Sequence, residues 1–268
     1  MRKIKMTKIT VNTKLFAFDL DGTLYFGGNA ADGAVNIINY LREKYKIVFF
    51  TNNSSKTVSQ IHEKLNILGI SCSINEVYTS SSATAAYLKE SRIDKIYVIG
   101  SQGLCDELQN VGLRTVDVNK AENLVVGLDF EFSYNKIADA LSVLLKGGKF
   151  IACNEDHFFP IGENKQLPGC GAMVGAISAA AGRKPDFVIG KPNTYILSKI
   201  SEDFNVKHNE IAVVGDSYES DIQMALNYNS KAILISDKVV VDKVVVDKKV
   251  IIVKNLGELQ QLIRREIT

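Results

Sequence analysis

The sequence predicts an α/β fold, a parallel-sheet core interrupted by a smaller inserted α/β domain. Three observations predict it. Short apolar runs alternate with helix-period segments along almost the whole chain, the pattern of strand–helix–strand units. The run Leu15-Phe16-Ala17-Phe18 is apolar at every position and closes on Asp19-Leu20-Asp21-Gly22-Thr23, as a strand covered on both faces would. The stretch 81–184 carries its own strand–helix alternation and is too long for a loop in a compact fold. The expected division is a discontinuous core, 1–80 and 185–268, around an insertion at 81–184.

In chain order, 15–19 reads as a buried strand, 34–44 as a helix, 47–50 as a strand and 58–68 as a helix. Between Asp21 and the first helix there is room only for a small hairpin flap. Within the insertion, strands are expected at 96–99, 124–127 and 150–152, and helices near 83–89, 105–110, 134–145 and 172–181. Beyond it, strands at 187–189, 211–214, 232–235 and 250–253 alternate with helices near 194–200, 220–227 and 256–265. The tandem Val-Val-Val-Asp-Lys repeat from Val239 to Lys248 reads as an edge strand or turn whose Asp-Lys pairs discourage aggregation.

Composition narrows the function. The 268 residues are 46% apolar, a soluble globular balance, and a formal charge of +2 is too small to imply a nucleic-acid polymer or an anionic membrane as partner. No apolar stretch approaches the roughly 20 residues of a membrane span, and the basic start is not followed by a signal-peptide core. Cys72, Cys105, Cys153 and Cys170 are scattered with no CxxC pair, which reads as reduced thiols in a cytoplasmic protein. His62 and His208 read as surface residues.

The chemistry sits at strand ends. Side chains alternate along a strand, so Asp19 and Asp21 emerge together where open α/β sheets bind ligands. Three other strand candidates of the flanking halves end in Thr51-Asn52-Asn53-Ser54, Gly190-Lys191-Pro192 and Gly215-Asp216-Ser217, with Asp221 close behind. If all four strands are neighbours, carboxylates, hydroxyl and amide donors and one ammonium converge at one edge. Clustered carboxylates repel, so either a cation neutralises them or one keeps a proton, and metal-assisted chemistry on an anionic substrate is the first expectation. Ser54 reads as a cap for the following helix. The glycines from Gly169 to Gly175 lack the GxGxxG spacing after a strand and read as tight loop-to-helix packing; no Walker A loop occurs.

DxDGT, TNNS, GKP and GDSxxSD in this order resemble the four signature motifs of the haloacid dehalogenase superfamily of phosphohydrolases, over residues 16 to about 235. The resemblance implies a Rossmann-like core and hydrolysis of phosphomonoesters through an aspartyl-phosphate intermediate. It implies Asp19 as nucleophile, Asp21 as general acid/base, and Lys191 neutralising the transferring group. Thr51 and Asn52 would hold phosphoryl oxygens, with Asn53 contributing through backbone or side chain. Mg²⁺ would be ligated by Asp19, Asp216 and the Asp21 backbone carbonyl, with Asp221 a further ligand through water or an orienting group.

The insertion between the Thr51 and Lys191 motifs resembles the type 2 cap of the NagD-like branch, which includes 4-nitrophenylphosphatases and pyridoxal phosphate phosphatases. The segment Cys153-Asn154-Glu155-Asp156-His157 matches that branch's Asn-x-Asp element, which makes Asn154, Asp156 and His157 the candidates for reading the substrate. Local turn structure is the competing account of those three. Pro168-Gly169-Cys170-Gly171 is similar to the branch's loop before the last cap helix. Ser217-Tyr218-Glu219-Ser220 departs from the Arg or Asn common in relatives, and the valine-rich repeat replaces a Thr-Gly segment. Small phosphorylated metabolites or nucleotides are the implied substrates, and a homodimer is compatible with the branch. A non-catalytic phosphate sensor or scaffold is the alternative from another class. A phosphotransferase or mutase would keep the same core, but the mutases compared carry their cap after the first motif.

Overall fold

The structure, a computed structural model, describes residues 9–160, 165–237 and 250–267. The chain divides into two compact units, one formed by 1–50, 65–72 and 197–268, the other by 51–64 and 73–196.

In the first unit, strands lie in the order Val250–Val253, Lys231–Ile235, Ile211–Gly215, Leu15–Asp19 and Lys46–Thr51, and every pairing between them is parallel. Leu15–Asp19 and Ile211–Gly215 are buried along their whole length, the result of helices covering both faces of a parallel sheet. Helices Ala34–Arg42 and Leu256–Ile267 bury apolar stripes through Ile37, Ile38 and Leu41 and through Leu259 and Ile263. The chain enters the sheet at Leu15–Asp19, adds Lys46–Thr51 on one side and Ile211–Gly215 on the other. Connections therefore diverge at the end of the first strand, and a crevice opens there. The expected flap is a two-residue-strand hairpin, Tyr25–Phe26 with Asn29–Ala30.

The second unit has its own parallel sheet, in the order Phe187–Val188, Lys149–Ala152, Asn123–Val126 and Ile96–Ile99. Its core joins Leu124, Val126 and Phe150 from the strands to Ala140 and Val143 of helix Tyr134–Leu145 and Val174 and Ile177 of helix Cys170–Ala181. An antiparallel hairpin, Phe158–Pro160 with Gln166–Pro168, precedes the last of these helices and was not anticipated.

One expectation is corrected. The strand that leads into Gly190-Lys191-Pro192 does not neighbour the other three motif strands; it pairs with Lys149–Ala152 in the second sheet. Backbone bonding fixes that choice: Asp186 N–H donates to the Phe150 carbonyl at 2.7 Å, and the Asp186 carboxylate accepts from Phe150 N–H at 2.7 Å. Ile189 and Gly190 continue the ladder onto the carbonyls of Ala152 and Cys153. An isolated apolar tripeptide carries no mark of which sheet it joins; its flanking bonds decide. The Val239–Lys248 repeat lies outside the described residues.

Candidate active site

The first unit concentrates negative charge. Asp19 ends its strand and is buried, Asp216 follows its strand directly and is exposed, and Asp221 is buried in a π-helical turn, Tyr218–Ile222. One carboxylate oxygen from each lies within 4.8 Å of the other two. At an effective dielectric near 20, each pair of full charges at that separation repels by about 3 kcal/mol. The cluster could hold a cation, and its oxygen-only donors suit a hard divalent one.

Backbone geometry produces this proximity. Gly22 adopts φ +94°, and a Cβ there would lie 2.5 Å from Asp216 Oδ2. A Cβ on Gly215 would meet the Asp221 side chain at 2.4 Å. Both glycines are the empty space into which a carboxylate fits. Thr23 Oγ1 donates to Asp216 Oδ1 at 3.2 Å, and Asp221 Oδ2 accepts from Ser217 N–H at 3.1 Å.

Asp21 is exposed at the start of the flap, where Tyr25 donates its phenol hydrogen to Asp21 Oδ2 at 2.9 Å. Tyr25 itself is buried, and burial, then the Asp21 charge and this hydrogen bond, push its phenol far above the ordinary range. It remains an O–H donor at every working pH.

The second unit concentrates amides and one buried lysine. The Asn52 carboxamide bridges two loops: Nδ2 donates to Asp156 Oδ1 at 2.8 Å and to the Lys191 carbonyl at 3.2 Å, while Oδ1 accepts from Lys191 N–H at 2.8 Å. The Asn52 carbonyl accepts from Asn154 Nδ2 and from Ser80 Oγ, both at 2.7 Å. Asn154 Oδ1 accepts from Asp156 N–H at 3.1 Å, closing the circuit. Asn52, Asn154, Ser80 and Lys191 are all buried. Buried polar groups must find partners or cost about 1–3 kcal/mol each, and this set supplies its own.

Thr51 is buried, and its hydroxyl oxygen accepts from Asn53 N–H at 3.1 Å, leaving its hydrogen as a donor. Asn53 Oδ1 accepts from Ser55 N–H and Lys56 N–H, an Asx-type turn. The expected Ser54 cap is corrected: helix Val58–Ile67 begins with a reciprocal Thr57–Gln60 box, and Ser54 Oγ accepts from Leu128 N–H instead. A buried Glu107 accepts from Val58 N–H at 2.7 Å at the same helix end, and burial raises its carboxyl above the usual range. His157 is exposed.

The structure thus brings together two sets within separate units: Asp19, Asp216 and Asp221 in one, and Asn52, Asn154, Asp156 and Lys191 in the other. Sequence reasoning missed Tyr25, Thr23 and Ser80. Thr23 stands inside the DxDGT motif, and Tyr25 lies four residues after Asp21 across a flap that was expected. Ser80 carried no signal, being one of four consecutive small polar residues.

Comparison with known proteins follows the same lines. A family profile described as haloacid dehalogenase-like hydrolase matches residues 16–114, and a second HAD-hydrolase-like profile matches 188–259. The chain is 36% identical over 230 residues to an acid sugar phosphatase of Staphylococcus saprophyticus, covering 85% of this chain and 88% of that one. A 4-nitrophenylphosphatase from Thermotoga maritima superposes with a TM-score of 0.86 at 31% identity, over 94% of this chain and 98% of that one. A putative nagD protein gives 0.86 at 29% identity, over 93% and 98%. Among the described residues no helix is long and apolar enough to cross a membrane.

Proposed function

We infer that this chain, which belongs to the haloacid dehalogenase-like hydrolase family and is a phosphatase acting on small phosphate monoesters, is a Mg²⁺-dependent cytoplasmic enzyme that works through a phosphorylated Asp19. The observation that carries the reading is the carboxylate trio of Asp19, Asp216 and Asp221.

The donor set fits Mg²⁺, which prefers carboxylate oxygens and keeps several waters. Asp19, Asp216 and the Asp21 carbonyl would hold it, with Asp221 bound through water or orienting the others. When bound, the ion supplies positive charge to the nucleophile and the phosphoryl oxygens.

An Asp19 carboxylate oxygen attacks phosphorus, the bond to the ester oxygen breaks, and Asp21 gives that oxygen a proton. The ionised Asp21 then takes a proton from water, whose oxygen attacks phosphorus. Inorganic phosphate leaves and the Asp19 carboxylate is restored. Tyr25 holds Asp21 in position through its 2.9 Å hydrogen bond. Lys191 neutralises the transferring group, and the Thr51 hydroxyl donates to a phosphoryl oxygen. Asn52 and Asn53, whose side-chain oxygens bond backbone N–H groups, shape the loop around Thr51.

Phosphorylated sugars are the substrate class the Staphylococcus relative's name suggests. Hydrolysis of 4-nitrophenyl phosphate, with Mg²⁺ and after chelation, in wild type and Asp19→Asn, tests the reading. Metal-dependent turnover lost in the variant supports it. Equal turnover in both proteins rejects Asp19 as nucleophile, and full activity after exhaustive chelation rejects the metal.

A further inference from the structure

Asp156 and Asn154 match the segment where substrate-reading residues were expected, and both side chains bond to the Asn52 residue: Asp156 Oδ1 accepts from its carboxamide and Asn154 Nδ2 donates to its carbonyl. Asn52 Oδ1 must be its oxygen, because it accepts from a backbone N–H at Lys191. Its amide nitrogen then faces two acceptors, the Lys191 carbonyl and Asp156 Oδ1, and both of its hydrogens are used. The Asn52 side chain therefore pins the Lys191 residue by its N–H and its carbonyl at once. Asp156 fixes the rotation of that carboxamide, and Asn154 fixes the Asn52 backbone and the Asp156 N–H.

The loop bearing Asp156 is itself held. Gly171 N–H donates to the Asp156 carbonyl at 2.9 Å, and a Cβ on Gly169 would overlap that carbonyl oxygen. On the other side, Gly190 N–H donates to the Cys153 carbonyl at 2.8 Å, and a Cβ there would sit 2.5 Å from Asn52 Oδ1. Three loops, around Asn52, Asn154 and Lys191, are packed too closely for any to shift alone.

We propose that Asp156 and Asn154 are positioning residues that act through Asn52 to fix Lys191, so that they serve every phosphate ester alike and do not read the leaving group. The proposal rests on Lys191 binding the phosphoryl group. A lysine displaced by even a fraction of an ångström stabilises the transferring charge less well, and by analogy with residues that orient metal ligands the loss is expected to be about 10- to 100-fold.

The test compares kcat/KM for 4-nitrophenyl phosphate, a hexose phosphate and glycerol phosphate in wild type, Asp156→Ala and Asp156→Asn, with inhibition by inorganic phosphate measured in parallel. Asp156→Ala is expected to lower kcat/KM by one common factor of about 10–100 on all three esters and to weaken phosphate inhibition. Asp156→Asn keeps an oxygen where Asn52 donates, so it is expected to recover most of that loss with the ester ratios unchanged. Ester ratios that change more than tenfold in either variant, or an Asn variant as impaired as Ala, would overturn the proposal by making Asp156 a charge that contacts substrate. If Asp156→Ala does not fold, the Asn variant alone decides, since retained activity with unchanged ratios supports positioning and ester-selective loss refutes it. Lys191→Ala measured alongside separates the premise: retained hydrolysis there removes the functional role of Lys191, whereas an inactive Lys191→Ala with ester-selective Asp156 variants refutes this inference alone.

Discussion

Asp19, Asp216 and Asp221 in the first unit are held close against their mutual repulsion by glycines that leave room for them, whereas Asn52, Asn154 and Asp156 in the second unit hold one another. The first set carries a repulsion that a cation would offset, and its geometry comes from backbone. The second is a closed circuit of donors and acceptors, and its geometry comes from side chains. The difference teaches where each is vulnerable: the carboxylate set to changes of charge and of glycine, the amide set to loss of any one hydrogen-bonding partner.

The largest expected effect is at Asp19. Asp19→Asn keeps the shape and removes the nucleophilic charge, and turnover of 4-nitrophenyl phosphate is expected to fall at least about 1,000-fold with folding intact by circular dichroism. Next come two glycines, one in each set. Gly22→Ala introduces a Cβ beside Asp216 at a left-handed φ, and the Mg²⁺ concentration for half-maximal activity is expected to rise about tenfold or more. Gly190→Ala crowds Asn52 Oδ1 instead, at a cost of about 1–3 kcal/mol in stability; KM and kcat are expected to suffer while the Mg²⁺ titration stays in place. Interchanged outcomes for the two variants would break the comparison. Removing the Tyr25 hydroxyl in Tyr25→Phe deletes one hydrogen bond to Asp21 and is expected to lower kcat about three- to thirty-fold with little change in KM. The smallest effect sharpens the contrast in packing. Burial pushes the Cys153 thiol up to about 12 and raises Cys170 as well, so both are expected to resist alkylation at pH 8 in the native protein. A thiolate is present only as pH rises through the folded pKa, so mass spectrometry after brief iodoacetamide treatment should find label at Cys72, which is half-buried, before either of them.

Much of this was legible in the chain. Buried parallel strands announce themselves as continuous apolar runs, and Leu15–Asp19, Ile96–Ile99 and Val250–Val253 have the bounds expected of them. A lone Asp at the end of such a run is more often a helix cap or turn former; it was the whole set of strand-end motifs that pointed to Asp19, Asp216 and Asp221, whose carboxylates lie within 4.8 Å of one another. What was not legible is partnership. Phe187–Val188 is apolar and short, and only the bonds of Asp186, Ile189 and Gly190 assign it to the second sheet. Asn154 and Asp156 stood out in the chain, but a polar residue that reads a ligand and one that braces a loop have the same sequence signature. The tightness of the surrounding loops, such as the approach of Gly190 to Asn52, exists only in three dimensions.

The claim on which the rest depends is that phosphorus is carried on Asp19. Asp21→Asn protein, slowed in the second step by loss of its base, can be mixed with 4-nitrophenyl phosphate, quenched in acid within one turnover and digested for mass spectrometry. The expected result is a phosphorylated peptide spanning Leu15–Asp19 whose label is lost in base and on hydroxylamine treatment, as for an acyl phosphate on Asp19. Release of 4-nitrophenol with phosphate found on another residue, or with none bound to protein at any quench time, would contradict it.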